Sequence, residues 1–176
     1  MTVYTHRDVN VLAIETSCDE TACSIVRNGR EVLSNAIFTQ MHIHREYGGV
    51  VPEIASRNHL EKINDVVDKA ILDAGLHKED IDVIAVTSTP GLIGALVVGV
   101  ATAKTMAYAL SKPLVGVHHI AGHIAANYLD HRELEPPFIS LVISGGHTSV
   151  IDVKDYNEHE VIGQTLDDAA GEAFDK

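Results

Sequence analysis

Val9-Asn10-Val11-Leu12-Ala13-Ile14-Glu15-Thr16-Ser17-Cys18-Asp19-Glu20-Thr21-Ala22-Cys23-Ser24-Ile25-Val26-Arg27-Asn28-Gly29 holds two apolar runs, Val9 to Ile14 and Thr21 to Arg27, around a short turn. Runs of this length and composition read as strands. Asn28-Gly29 accepts φ > 0 at both residues, so it predicts a hairpin turn, and Val32 to Thr39 returns as a third strand. The chain therefore opens as an antiparallel three-stranded sheet. After a boundary at Pro136-Pro137 the same opening recurs, with Phe138 to Ile143, Thr148 to Val153 and Glu160 to Thr165 as strands joined by tight connections.

The middle of the chain completes the pattern. Pro52 sits where a first helical turn tolerates it, and Ile63, Val66, Val67, Ala70, Ile71 and Ala74 recur at three- and four-residue intervals until Gly75 closes the helix. Val83 to Thr87 predicts a strand buried on both faces. Leu92 to Leu110 is apolar nearly all round and studded with Gly94, Ala95, Gly99, Ala101 and Ala103, which predicts a buried helix in close backbone contact. Leu114 to Val117 is a short strand feeding a helix that runs to about Leu129. A last helix is expected from Ala169, with Asp167-Asp168 as acidic residues at its start. The order is β-β-β-α-β-α-β-α, followed by β-β-β-α beginning over. This internal repeat sets the expected division at residues 1–135 and 136–176, with the second copy cut short inside its first helix.

Composition excludes several classes. A hydrophobic share of 45% over 176 residues supplies a real core, and 22% charged residues suit a soluble globular chain. The net charge of −12 argues against a broad nucleic-acid surface, though not against a local basic groove or a partner that supplies one. Cys18 and Cys23 fit neither a CxxC pair nor a zinc knuckle, so they are expected as reduced thiols filling small buried sites in a cytoplasmic protein. No signal peptide is expected. The apolar run from Gly91 to Ala103 stops at Lys104, short of the roughly 20 residues of a membrane span.

Two motifs carry chemistry. His119 and His123 are spaced i, i+4 and so share one helical face, where both imidazoles can reach one metal ion; His118 points elsewhere and reads as structural. In Val142-Ile143-Ser144-Gly145-Gly146-His147-Thr148 a Ser-Gly-Gly turn lets backbone approach an anion, since glycine lacks Cβ and opens φ > 0. A metal pair and a phosphate-friendly turn together point to chemistry on a phosphorylated or acyl-phosphate substrate. Taken singly, the histidine pair is more often a packing or surface pair, and Ser-Gly-Gly more often a plain hairpin. Asp19 and Glu20 alone read as a solvated turn. His42, His44 and His59 are expected at the surface, with the loop from Thr39 to Gly49 able to shape a nucleic-acid entrance.

The repeat resembles the plan of the actin, sugar-kinase and Hsp70 superfamily (ASKHA), an α/β architecture in which each domain's first hairpin carries a phosphate loop. It implies a mixed five-stranded sheet flanked by helices, plus the start of a second similar domain. The phosphate loops would be Glu15 to Thr21 and Ser144 to Thr148. Within that superfamily, Ile14-Glu15-Thr16-Ser17-Cys18-Asp19-Glu20-Thr21, Tyr47-Gly48-Gly49-Val50-Val51-Pro52-Glu53, His119-Ile120-Ala121-Gly122-His123, Ser144-Gly145-Gly146-His147-Thr148 and Asp167 to Lys176 resemble the TsaD family, in order, from about Val11 to the end. One departure is Thr89, where the family usually has glycine before Pro90-Gly91-Leu92.

The resemblance implies a tRNA N6-adenosine threonylcarbamoyltransferase, once labelled an O-sialoglycoprotein endopeptidase. Such enzymes move a threonylcarbamoyl group from threonylcarbamoyl-AMP to N6 of the adenosine 3′ to the anticodon, in tRNAs reading codons that start with A. It implies His119 and His123 as ligands of one divalent metal ion, iron or zinc, with a further aspartate beyond Lys176. It implies Val142, Ile143, Ser144, Gly145, Gly146, His147 and Asp175 at the substrate, an adenine nucleotide or threonylcarbamoyl-AMP, and Asp19 and Glu20 at the reacting centre. Implied partners are tRNA, a TsaB paralogue and the ATPase TsaE. Self-association through the exposed helices is a further expectation, with no membrane contact, and the chain by itself is expected to be inactive. Two rival functions are a zinc metalloendopeptidase and a non-catalytic TsaB-like scaffold. The first lacks the glutamate that HExxH proteases place beside the first histidine; here Ile120 follows His119. The second would have been free to lose His119, His123 and Ser144-Gly145-Gly146.

Overall fold

A computed structural model describes residues 7–175. The chain packs as two compact units, one ending at His119 and one beginning at Ile120. The sequence repeat places the division at 135. By packing alone, the helix that follows His119 goes with the second unit, for the reason given below.

In the first unit, β1 (Asn10–Glu15), β2 (Glu20–Arg27) and β3 (Glu31–Thr39) form the antiparallel opening. The turn expected at Asn28-Gly29 is there, with φ of 52° and 69°. A short helix α1 (Met41–His44) and a 3₁₀ turn over Arg45–Tyr47 occupy the stretch expected as loop. Then follow α2 (Pro52–Asp73), β4 (Val83–Thr89), α3 (Ile93–Leu110) and β5 (Leu114–His118). The sheet order is β3-β2-β1-β4-β5, and β4 pairs parallel with both β1 and β5. This is the mixed five-stranded sheet that the repeat implies.

Alternation decides what is buried. Thr21, Cys23 and Ile25 of β2 face inward at every second residue, beside Leu12 and Ile14 of β1. Ile84 to Thr87 are buried without a break, as a strand covered on both faces requires. α2 brings Ile63, Val66, Val67, Ala70 and Ile71 to this core. Each large side chain so enclosed contributes about 1.5–3 kcal/mol of transfer free energy.

α3 differs from expectation. It is not buried all round: Ala95, Gly99, Ala103 and Ala107 form a packed seam, while Ile93, Val97 and Tyr108 are largely exposed. The small residues at i, i+4 steps let the helix axis approach the sheet, and the large ones are left on the other face. By length and composition α3 could cross a membrane, but its seam is part of the unit's packing.

The second unit holds α4 (His119–Asp130) from its second residue on, the antiparallel sheet β6 (Phe138–Ile143), β7 (Thr148–Asp155) and β8 (Glu158–Gln164), and α5 (Ala170–Asp175). Ile124 of α4 joins Val142, Ile151 and Val153 in one apolar cluster, with Ile120 and Phe138 against it. That cluster is why α4 groups with the second sheet. The three-strand opening does recur, in the expected order.

Candidate functional site

The carboxyl ends of the parallel strands β1, β4 and β5 carry Glu15, Thr87 to Thr89 and His118. Open α/β sheets bind ligands at such ends, where loops and helix starts converge. Glu15 accepts the backbone N–H of Ser17, and its other oxygen lies 3.3 Å from Nδ1 of His119, the first residue of α4. Ser17 Oγ is 3.2 Å from the same nitrogen. Burial pushes the Glu15 carboxyl up, but hydrogen bonds from Ser17, Thr87 and His119 outweigh it and hold it below the usual carboxylate value. A carboxylate facing Nδ1 favours the tautomer with its proton there, leaving Nε2 of His119 as the lone-pair nitrogen.

Glu15 and Ser17 lie in the phosphate loop expected from sequence, but no contact with His119 was expected of them, and Thr87 was expected only as the end of a strand. The signal available was position: Glu15 directly follows the predicted strand Val9 to Ile14, and Thr87 ends the predicted strand Val83 to Thr87. Asp19 and Glu20 lie on the following turn, Asp19 half-buried and Glu20 exposed, with Thr39 Oγ1 3.4 Å from Glu20. Cys18, expected buried, is exposed on this turn, whereas Cys23 is buried as expected. Burial and the neighbouring Asp19, Glu20 and Glu15 push the Cys18 thiol up to about 11; burial pushes Cys23 to about 12. Neither is a thiolate at neutral pH.

The turn is anchored from behind. The Ser17 carbonyl accepts from Leu92 N–H at 2.8 Å, and the Asp19 carbonyl from Gln40 N–H at 3.0 Å. Gly91 must be glycine for this: a Cβ there would stand 2.7 Å from the Ser17 carbonyl oxygen. The preceding Thr89–Pro90 bond is cis. Two histidines expected at the surface belong to the same anchor. His59 is fully buried and His44 nearly so, because Thr21, Gln40 and backbone groups satisfy them; His42 is exposed as expected. Burial lowers the His59 pKa below the ordinary imidazole value, against the opposing pull of the Cys18 carbonyl, Glu15 and Asp19.

In the second unit, His123 of α4 lines a small cavity of about 170 Å³ together with Asn127, Ser140, Val142, Ile143 and Ser144. The structure thus brings a predicted metal ligand to predicted substrate residues. Val142 is buried at its base, while Ile143 is exposed. Ser144 N–H donates to the His147 carbonyl at 2.8 Å, and His147 N–H donates to Ser144 Oγ at 3.0 Å, so the turn closes on itself. Gly145 and Gly146 are exposed and a Cβ on either would meet nothing within 4 Å. Neither takes a positive φ, contrary to expectation, because this closure needs none; the missing Cβ serves to leave the backbone open. Behind the turn, Gly171 of α5 donates to the Ser144 carbonyl at 3.2 Å. His147 is exposed. Asp175 ends α5, but its side chain, like the whole of Lys176, lies outside the described residues.

His119 and His123 both lie on α4, one turn apart, as a shared metal would need. Among the described residues no group of three or more His, Cys, Asp or Glu side chains is placed to hold a metal. The donor chemistry fits part of a site: two imidazoles, one already oriented by a carboxylate.

Three comparisons bear on this arrangement. The profile of the family described as "TsaD: tRNA N6-adenosine threonylcarbamoyltransferase" matches residues 31–176. Proteins of that name from Clostridium perfringens and Clostridioides difficile are 63% identical over 166 residues and 59% identical over 169. These alignments take in 94% and 96% of the chain but 49% and 50% of the relatives, so the chain spans about half of their length. Among solved structures, YeaZ from Pseudomonas aeruginosa superposes with a TM-score of 0.58 at 17% identity, over 89% of this chain and 66% of that one. A ROK hexokinase from Thermus thermophilus gives 0.51 at 15%, over 89% and 48%. Those likenesses establish the fold, the one the repeat implied.

Proposed function

This chain belongs to the TsaD family, and from that premise we propose that it supplies the first half of a tRNA N6-adenosine threonylcarbamoyltransferase. The observation that carries the reading is the cavity where His123 meets Val142, Ile143 and Ser144. His119 and His123 would hold a divalent metal, iron or zinc, with an aspartate from a following segment. Bound there, the metal would act as a Lewis acid on a carbamoyl or phosphate oxygen.

The chain's own residues do the rest. Glu15 holds the His119 ring by its Nδ1. Each unit has its own proposed phosphate contact, the turn at Cys18-Asp19 in the first and the open backbone at Gly145 and Gly146 in the second. In the transfer, the adenosine N6 attacks the carbamoyl carbon, a C–N bond forms, the bond to the phosphate oxygen breaks, and AMP leaves. N6 gives up one proton, for which Asp19 and Glu20 are the proposed acceptors. His147 and Asp175 complete the proposed substrate contacts, and a cytoplasmic setting fits a tRNA substrate.

The test is a chimera in which this chain replaces the matching half of the Clostridium perfringens relative, assayed with tRNA, threonylcarbamoyl-AMP, TsaB and TsaE. Nuclease digestion and mass spectrometry should find the modified adenosine, and the same chimera with His119→Ala and His123→Ala should give none. The 176 residues alone should also give none, since a misplacement of about 1 Å at a reacting centre costs roughly a hundredfold. A folded chimera without product would overturn the reading.

Partner binding follows from the surface of the first unit. Between α2 and α3 lies a groove of about 670 Å³, lined in part by Val67, Ala101, Met106 and Leu110. Leu60, Leu72, Ile93, Val97 and Tyr108 of these helices are exposed. We assign this face to a TsaB paralogue of the same fold, with a second copy of this chain as the substitute when it is absent. Val97→Glu with Tyr108→Glu should cut TsaB capture at least about tenfold, since each buries a charge at an apolar contact. Unchanged capture would remove the groove from the interface.

A further inference from the structure

A buried chain of hydrogen bonds runs from the loop before α2 to the turn after β1, and with neutral imidazoles the direction of every bond in it is fixed. Its members Thr21, Gln40 and His59 are fully buried, and His44 is 3% exposed. At one end Val51 N–H can only donate, and it meets Nδ1 of His44 at 3.3 Å. The other nitrogen of His44 must then carry the proton, and it faces Gln40 Oε1 at 3.2 Å. The amide nitrogen of Gln40 lies 3.4 Å from the Ala55 carbonyl, which can only accept, and 3.4 Å from Nδ1 of His59. The Thr21 hydroxyl reaches that same Nδ1 at 2.8 Å. At the far end Nε2 of His59 donates to the Cys18 carbonyl at 3.0 Å. Three backbone groups that allow one direction each, Val51 N–H, Ala55 C=O and Cys18 C=O, agree on a single assignment.

The consequence falls on the phosphate turn. A trans peptide plane points its C=O and N–H in opposite directions. Anchoring the Ser17 carbonyl on Leu92 therefore aims the Cys18 N–H away from the body. Anchoring the Cys18 carbonyl on His59 does the same for the Asp19 N–H. The Ser17 and Asp19 carbonyls are held by backbone; that of Cys18 is held by a side chain from α2, 41 residues away. An apolar residue at 59 would fill the space and leave this peptide free to flip.

We propose that neutral His59 is a positioning residue of the first phosphate turn, holding the Cys18–Asp19 peptide so that its N–H faces the bound phosphate. The proposal rests on the phosphate role given to this turn above. Glu15, Asp19 and Glu20 would repel a bare anion, so the ligand arrives with its cation, and magnesium pyrophosphate is the probe.

The experiment is a titration of the isotope-labelled chain with magnesium pyrophosphate to millimolar concentration, followed by NMR. The amides of Cys18 and Asp19 should shift, together with the Nε2–H of His59, and the His59 ring should be the Nε2–H tautomer. His59→Gln keeps an amide donor and should retain the response, whereas His59→Leu should weaken it by about tenfold or more, as loss of an orienting bond predicts. Thermal midpoints of both variants separate packing from positioning. Equal weakening by Gln and Leu, an Nδ1–H tautomer, or shifting amides with a silent His59 would overturn the proposal; the last two need no variant. Amides that do not shift at all in the unaltered chain would instead remove the phosphate role of the turn, and the proposal with it.

Discussion

Replacing either His119 or His123 with alanine is expected to abolish divalent-metal binding, while His118→Ala leaves it intact. His119 and His123 stand one turn apart on α4; His118 ends β5 with its side chain exposed. Binding by the chain itself should be weak, because resident sites normally use three or four protein ligands and no such group is placed among the described residues. A finer result is expected at Glu15. Its carboxylate lies 3.3 Å from Nδ1 of His119, and Ser17 Oγ lies 3.2 Å from the same nitrogen, so the ring is held by Nδ1 and Nε2 is the nitrogen left to ligate. Carboxylates in that position raise ligand basicity, and their loss typically lowers metal affinity about 10–100-fold. Glu15→Gln should therefore weaken binding by that factor without abolishing it. Competition against a chelator, with elemental analysis, measures all four variants; equal occupancy in His119→Ala, His123→Ala and His118→Ala would remove the assignment.

Much of the fold could be read because it depends on local chemistry. Asn28-Gly29 takes the positive φ values that these two residue types favour in a hairpin, and the α2 stripe from Ile63 to Ala74 has one periodicity. What failed depends on side-chain partners that hydrophobic patterning does not reveal. His44 and His59 look like surface residues until Gln40 and Thr21 are placed beside them, 4 and 38 residues away. Glu15 looks like the end of a strand until His119, 104 residues on, is set against it. The apolar sequence of α3 told that it packs, but not on which side; there the seam of small residues, not the large ones, marks the inner face. Cys18 was legible in principle, since it sits in the turn, outside the alternation that buries Cys23. For the site, the motifs named His123 and the Val142 to Ser144 run separately. Only the packing of α4 on β6 and β7 puts them around one cavity.

Gly99→Ala is expected to destabilise the first unit strongly, although alanine is the better helix former. A Cβ at residue 99 would stand 2.3 Å from Oγ1 of Thr16, which is fully buried and donates to the Ala95 carbonyl at 2.9 Å. Two responses are open to the molecule. If α3 backs away, its seam of Ala95, Gly99, Ala103 and Ala107 loses contact with the core, an overpacking cost of about 1–3 kcal/mol. If instead Thr16 rotates, its buried hydroxyl loses its acceptor, which costs about 1–3 kcal/mol. The first response also moves the turn that carries Ser17 to Asp19, because Leu92 at the start of α3 holds the Ser17 carbonyl, so phosphate binding should weaken along with stability. The mechanism predicts its own remedy. With Thr16→Ala the Oγ1 is gone and the remaining clash, to Thr16 Cβ at 3.4 Å, is ordinary contact, so the double variant should be more stable than Gly99→Ala alone. Such coupling is the signature of two groups competing for one space. Gly122→Ala on α4 serves as the control, because a Cβ there meets nothing within 4 Å and alanine gains about 0.5–1 kcal/mol of helix propensity. Urea midpoints for the four variants decide it: additive losses at residues 16 and 99 would show that α3 approaches the turn for some reason other than the one given.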